Sequence, residues 1–123
     1  MYEILIVGGG PAGLTAAIYA ARAGKHVAVL ERGSTGGQII SAPLVENYPG
    51  IPSVSGTELA RQMTEQACTF GAEIVYTEAV GLEKTPAGFR VLCTDGVREA
   101  KAVILATGAA HRSLGLAAED ALT

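Results

Sequence analysis

This sequence has little of what metal or covalent catalysis needs. It carries two cysteines and two histidines in 123 residues. Cys68 and Cys93 stand 25 positions apart, so there is no C-x-x-C pair and no metal-ligand cluster. Both thiols are expected to be reduced and inert. Cys93 alternates in phase with Phe89 and Val91 and reads as a core position; Cys68 falls on an amphipathic helix. His26 and His111 are far apart with no partner pattern, which argues against a metal or triad role for either. No catalytic side chain and no metal site is expected. Charge is scarce as well, at 17% of residues with a net charge of -3, and no basic patch is visible. Nucleic acid and anionic membrane surfaces are thereby excluded as expected partners. No apolar run approaches the length of a membrane span. The N-terminus lacks a basic region and begins at once as a core strand, which reads against a signal peptide, so cytoplasmic residence is the expectation. Internal repeats and low-complexity tracts are absent too.

What is plentiful is glycine, with 16 residues, in a chain that is 49% hydrophobic. This is the composition of a globular domain, long enough to bury roughly two-thirds of its surface. A single domain over 1–123 is expected.

The most informative stretch comes first. Ile4-Leu5-Ile6-Val7 is an apolar, branched run that predicts a buried parallel strand. Gly8-x-Gly10-x-x-Gly13 follows and leads into an alanine-rich helical stretch, Leu14 to Arg22. That spacing is the dinucleotide-binding fingerprint. The first glycine permits the tight turn, the second lets the backbone approach a pyrophosphate, and the third lets helix and strand pack closely. Ala17, one turn further on, keeps that contact thin. Pro11 falls in the first helical turn, where its missing N–H costs nothing. Free N–H groups and roughly half a positive charge of helix dipole would face the ligand. Gly24 ends the helix, and His26 to Glu31 reads as the second strand. Glu31 lies 18 residues after Gly13, where an acid is expected to bond a ribose hydroxyl. A carboxylate there disfavours a 2′-phosphate, so NADP is not expected at this site; FAD and NAD both remain.

Arg32-Gly33-Ser34-Thr35-Gly36-Gly37-Gln38 predicts a loop of unusual backbone geometry, able to present N–H groups to a phosphate or ribityl chain. Residues 39–56 read as an irregular, apolar loop packed over a site, broken by Pro43, Pro49 and Pro52. Asn47-Tyr48-Pro49-Gly50 within it is a turn signal. Ser55-Gly56-Thr57-Glu58 fits a capping box. Leu59, Met63, Ala67 and Phe70 then form one apolar stripe for the core, and Gly71 is the stop. Glu73-Ile74-Val75-Tyr76 predicts a third parallel strand. A small antiparallel meander is expected over about 79–101, in segments Val80–Lys84, Phe89–Thr94 and Val97–Lys101, with Ala87-Gly88 and Asp95-Gly96 at its turns. Ala102 to Ala106 reads as a further parallel strand ending in Thr107-Gly108. Val7, Glu31 and Thr107 would share the carboxyl edge of the sheet, where ligands bind in such folds. The tail, 109–123, reads as an exit linker. The fold class is α/β: a Rossmann-like parallel sheet with helices and a small antiparallel β-meander.

These stretches together resemble the N-terminal FAD-binding portion of the low-molecular-weight thioredoxin reductases. Gly8 through Arg22 looks like that family's opening. Gly36-Gly37-Gln38 and Val45-Glu46-Asn47-Tyr48-Pro49-Gly50 are more specific, and Ala106-Thr107-Gly108-Ala109 with Arg112 and Leu114 resembles its strand and exit loop. The resemblance covers nearly the whole chain. It implies that Gly8, Gly10, Pro11, Ala12 and Gly13 hold the pyrophosphate of FAD, and that Glu31 and Arg32 contact its adenosine end. It further places Gly36, Gly37 and Gln38 along the ribityl chain and flavin, and Asn47 near the flavin ring. Val80 or a neighbour would meet adenine through the backbone, with Ala106, Thr107 and Gly108 close to the cofactor. Members of the family continue into an NADPH domain with a redox-active C-x-x-C, then return to complete the FAD domain. The present chain is expected to stop near that crossover and to be inactive alone. Its parent would pass electrons from NADPH through FAD to a disulfide. The partners implied are FAD and, through the parent, thioredoxin or a similar disulfide protein, with a homodimer as the assembly allowed. Two alternatives stand beside this: a ferredoxin reductase relative, and a self-contained, noncatalytic dinucleotide-binding module.

Overall fold

The structure is a computed structural model, and it describes residues 1–108. The expected exit linker, with His111, Arg112 and Leu114, lies outside the described residues. The apolar run at the start forms strand β1 (Tyr2–Val7) and the glycine turn leads into helix α1 (Pro11–Arg22). Strand β2 (Val27–Glu31) is buried along its whole length, as a continuous branched run in a parallel sheet should be. A 3-10 helix (Gly37–Ser41), helix α2 (Gly56–Thr69) and strand β3 (Glu73–Tyr76) follow. Then come β4 (Ala79–Thr85), β5 (Gly88–Cys93) and β6 (Gly96–Leu105). The strands form one six-stranded sheet in the order β3-β2-β1-β6-β5-β4. β3, β2, β1 and β6 run parallel, while β6, β5 and β4 pair antiparallel. This is the expected α/β class, a parallel core with an antiparallel meander.

Two apolar layers result. On one face Ile6, Val27 and Val29 meet Leu14, Ala17, Ala20 and Ala21 of α1 and Leu59, Met63 and Ala67 of α2. On the other, Leu5, Val7, Ala28 and Leu30 meet Ala79, Val91, Cys93 and Ala100. The meander thus covers the face that the helices leave bare, and Cys93 is a core residue as expected. Among the described residues no helix is long and apolar enough to cross a membrane.

Three expectations need correction. The region 39–56 is more regular than its prolines suggest. It opens within the 3-10 helix and closes as a short hairpin, bridged at Val45–Val54 and Tyr48–Ile51, with Gly50 at φ +89° in its turn. Each proline sits where it owes no ladder bond, so the chain pairs around them. Ile39, Val45, Ile51 and Val54 pack against the helical core. Phe70 is not a core residue: it caps α2 at 43% exposure, with the Arg22 guanidinium 5.5 Å from its ring centroid. Finally, the last meander segment and the last parallel strand are one element. β6 gives its first half to β5, antiparallel, and runs on beside β1, parallel.

Candidate cofactor-binding site

The strand order reverses direction at β1, which has β2 on one side and β6 on the other. In open α/β sheets the ligand crevice forms at such a switch point, beyond the carboxyl ends of the strands. A cleft of about 560 Å³ opens there, within the usual size range of ligand sites. It is lined by Gly8, Gly9, Gly10, Pro11, Ala12, Glu31, Gly37, Gln38, Ile39, Ala106, Thr107 and Gly108.

The glycines make this cleft. Gly8 has φ +111°, and a Cβ there would lie 2.0 Å from the Ala106 carbonyl oxygen. The turn can therefore lie against the end of β6 only without a side chain. A Cβ on Gly13 would lie 1.9 Å from the Gly8 oxygen, so α1 can start this close to the turn only with glycine. Gly10 differs: a Cβ there meets nothing nearer than Gly37 Cα, 3.8 Å away. Its missing side chain leaves open space between the two loops, which is the space a ligand backbone would use. Gly36 closes the back of the cleft by donating its N–H to the Gly9 carbonyl at 2.7 Å. Gly10 is the N-cap of α1 and no side chain caps the helix, so the first-turn N–H groups remain available to an anion.

Glu31 is 9% exposed, although it ends a strand. Its Oε1 accepts the Gly9 N–H at 2.9 Å and its Oε2 accepts the Gly33 N–H at 2.7 Å. One carboxylate thus ties the glycine turn to the loop after β2, with lone pairs left for a ribose hydroxyl. From the cleft a crevice of about 20 Å³, close to the room of one water, runs between β2 and the start of β4. Gly8, Glu31 and Thr107 line both spaces, and Val7, Leu30, Arg32, Thr77, Glu78 and Ala79 complete the crevice. Thr77 is fixed twice, by its N–H to the Glu31 carbonyl at 3.0 Å and by its hydroxyl to Asp95 Oδ1 at 2.6 Å. The Arg98 guanidinium, and then the Thr77 hydroxyl, hold the Asp95 carboxyl well below the usual carboxylate range.

Of the residues singled out in the sequence, Gly8, Gly10, Pro11, Ala12, Glu31, Gly37, Gln38, Ala106, Thr107 and Gly108 meet at the cleft. Gly13 and Gly36 support it from behind. Arg32 lines the crevice instead. Val80 sits exposed at an irregularity in β4, one residue past the crevice wall. Asn47 lies on the hairpin, beside Tyr48 and Ile51 rather than in the cleft lining. Gly9 and Ile39 line the cleft without having been singled out. Among the described residues no group of acidic, histidine or cysteine side chains could hold a metal ion.

Comparison with known proteins agrees with this architecture. The family model of the pyridine nucleotide-disulphide oxidoreductases matches residues 2–123. A thioredoxin reductase of Listeria monocytogenes is 41% identical over 123 residues, which is all of this chain and 39% of that protein. The crystal structure of a thioredoxin reductase from Streptococcus pyogenes superposes with a TM-score of 0.87 at 47% identity, over 94% of this chain and 38% of that one. A ferredoxin-flavin thioredoxin reductase from Clostridium acetobutylicum gives a TM-score of 0.82 at 31% identity, over 91% of this chain and 39% of that one. The chain spans about 39% of the length of the curated relatives it matches. It belongs to the pyridine nucleotide-disulphide oxidoreductase family, and what it matches is the N-terminal segment of thioredoxin reductases.

Proposed function

We propose that this chain is the FAD-binding part of an NADPH-dependent, thioredoxin reductase-like disulfide reductase. The observation that carries the reading is the glycine-walled cleft at the β1/β6 switch point, with Glu31 fixed at its edge. The group fits the residues present. The uncapped start of α1, with Gly8, Gly10, Pro11, Ala12 and Gly13, would receive the pyrophosphate. Glu31 would accept from the adenosine ribose, with Arg32 and the backbone near Val80 at the same end. Gly37, beside Gly10, leaves room for the ribityl chain with Gly36 behind it, and Gln38 can both give to and take from a polar ring edge. Ala106, Thr107 and Gly108 close the opposite wall, and Asn47 would approach from the hairpin. When bound, FAD supplies the electron relay; the chain's own residues bind and orient it.

The whole reaction belongs to a longer protein in this reading. Neither cysteine here has a C-x-x-C partner, and the only glycine fingerprint is the one in use. NADPH, the redox disulfide and thioredoxin or a similar protein would be handled outside these residues, and the chain alone is expected to be inactive. A homodimer and a cytoplasmic setting belong to the same proposal. The likeness to the ferredoxin-flavin enzyme favours a second reading, in which reduced ferredoxin replaces NADPH as donor. Reducing the flavin of the full-length protein with each donor in turn separates the two.

The deciding experiment titrates the purified chain with FAD, followed by flavin absorbance and fluorescence, with NAD and NADP as controls. Saturable, selective FAD binding that weakens in Glu31→Ala is expected. Tight NAD binding without FAD binding would overturn the flavin assignment.

A further inference from the structure

Resting on the reading that the cleft takes an adenine dinucleotide, we propose that Glu78 is a specificity-determining residue: paired with Arg32, it closes the adenosine end to a ribose 2′-phosphate. Arg32 directly follows the ribose acid and is the one cation lining the crevice among the described residues. An arginine at that place is the chemistry that would accept a 2′-phosphate. Here its charge is already matched. Arg32 Nη1 lies 3.4 Å from Glu78 Oε2, with the two side chains 49% and 42% exposed. Glu31 lines the same crevice, so two carboxylates and one guanidinium share it. A phosphate dianion brought there would meet net negative charge, whereas free ribose hydroxyls would find carboxylate acceptors. Discrimination then comes from a built-in repulsion as well as from contacts to the preferred ligand.

Glu78 is well placed for this because its backbone is held on both sides. Its carbonyl accepts the Thr94 N–H at 2.9 Å, and the preceding residue, Thr77, is anchored to Glu31 and Asp95. A flavin cleft closed in this way would also reject a 2′-phosphorylated nicotinamide donor used elsewhere in the same enzyme.

The test measures binding of ADP-ribose and of 2′-phospho-ADP-ribose to the purified chain by calorimetry. In the unaltered chain ADP-ribose is expected to bind the tighter. Glu78→Gln should shift the ratio toward the phosphorylated ligand by about two- to five-fold, the scale of one exposed charge pair. That gain should shrink in molar salt. Adding Arg32→Gln to Glu78→Gln should abolish it, because the gain runs through the released guanidinium. An unchanged ratio in Glu78→Gln, with ADP-ribose still bound, overturns the inference alone. A folded chain that binds no ADP-ribose overturns the cofactor reading and this inference with it.

Discussion

Helices α1 and α2 lie on the same face of the sheet and share one apolar core, but they treat their N-termini in opposite ways. α2 carries a side-chain cap. Ser55 Oγ accepts the Glu58 N–H at 3.1 Å, and Glu58 places a carboxylate in the first turn. α1 has Gly10 as N-cap, no side-chain cap and no acid in its first turn. A helix start without such partners costs stability unless water or a ligand supplies them. The difference separates a helix capped by its own chain from one whose positive end is left open. Gly13 and Gly8 bring that open end close to the strand edge.

The comparison breaks most severely at Gly13. Gly13→Ala would force a Cβ against the Gly8 carbonyl, and the helix start would have to move. A loss of about 3 kcal/mol or more is expected, enough to threaten the fold, together with loss of FAD binding. Chemical denaturation and flavin titration on the same variant check both. Gly10→Ala should separate them. Its methyl group meets no backbone within 3.8 Å, so the melting temperature should hardly change, while the cradle is partly filled. About 1–3 kcal/mol of FAD affinity should go. If Gly10→Ala binds FAD as well as the unaltered chain, the open space between Gly10 and Gly37 is not where the cofactor runs.

Ser55→Ala is the mirror image on α2. It should cost about 1 kcal/mol of stability and lower the melting point by a few degrees, with FAD affinity unchanged. A fall in affinity equal to that of Gly10→Ala would mean that the two helix starts are not divided as described.

The local signals were legible for physical reasons, and so were their limits. Strand, glycine turn, helix and the acid at the end of β2 are set by near-neighbour sterics and a fixed spacing, so the cleft's floor could be read from residues 4–31. Gly9 escaped notice because the fingerprint leaves its position open; its role is to give its N–H to Glu31, a contact made only when β2 lies beside β1. Arg32 and Glu78 are 46 residues apart and share no local pattern. β6 read as two elements because residues 96–101 carry Arg98, Glu99 and Lys101 and residues 102–105 are apolar, a change of surroundings rather than of backbone. The same limit applies to the capping box. Ser55 does its half, but the Glu58 side chain turns away to Arg61 Nε at 2.9 Å and to Gln62.

That choice of partner yields the smallest expected effect. Hydrogen bonds from Arg61, then from Gln62, lower the Glu58 pKa from an ordinary 4.5 to about 2. A carboxyl depressed by folding adds stability above its unfolded pKa and loses it as pH falls toward the folded one. The contribution should therefore be complete at pH 6 and fade between about 4.5 and 2. The Glu58 and Arg61 side chains are 41% and 54% exposed, so solvent screens the pair and the effect is modest. Urea unfolding of the unaltered chain and of Glu58→Gln at pH 6 and at pH 3 measures it. The gap between the two should narrow at pH 3, and α1, with no acid in its first turn, should give no such term. A gap that stays constant with pH would mean that Glu58 acts on α2 through packing, and that the two helix starts differ in capping by Ser55 alone.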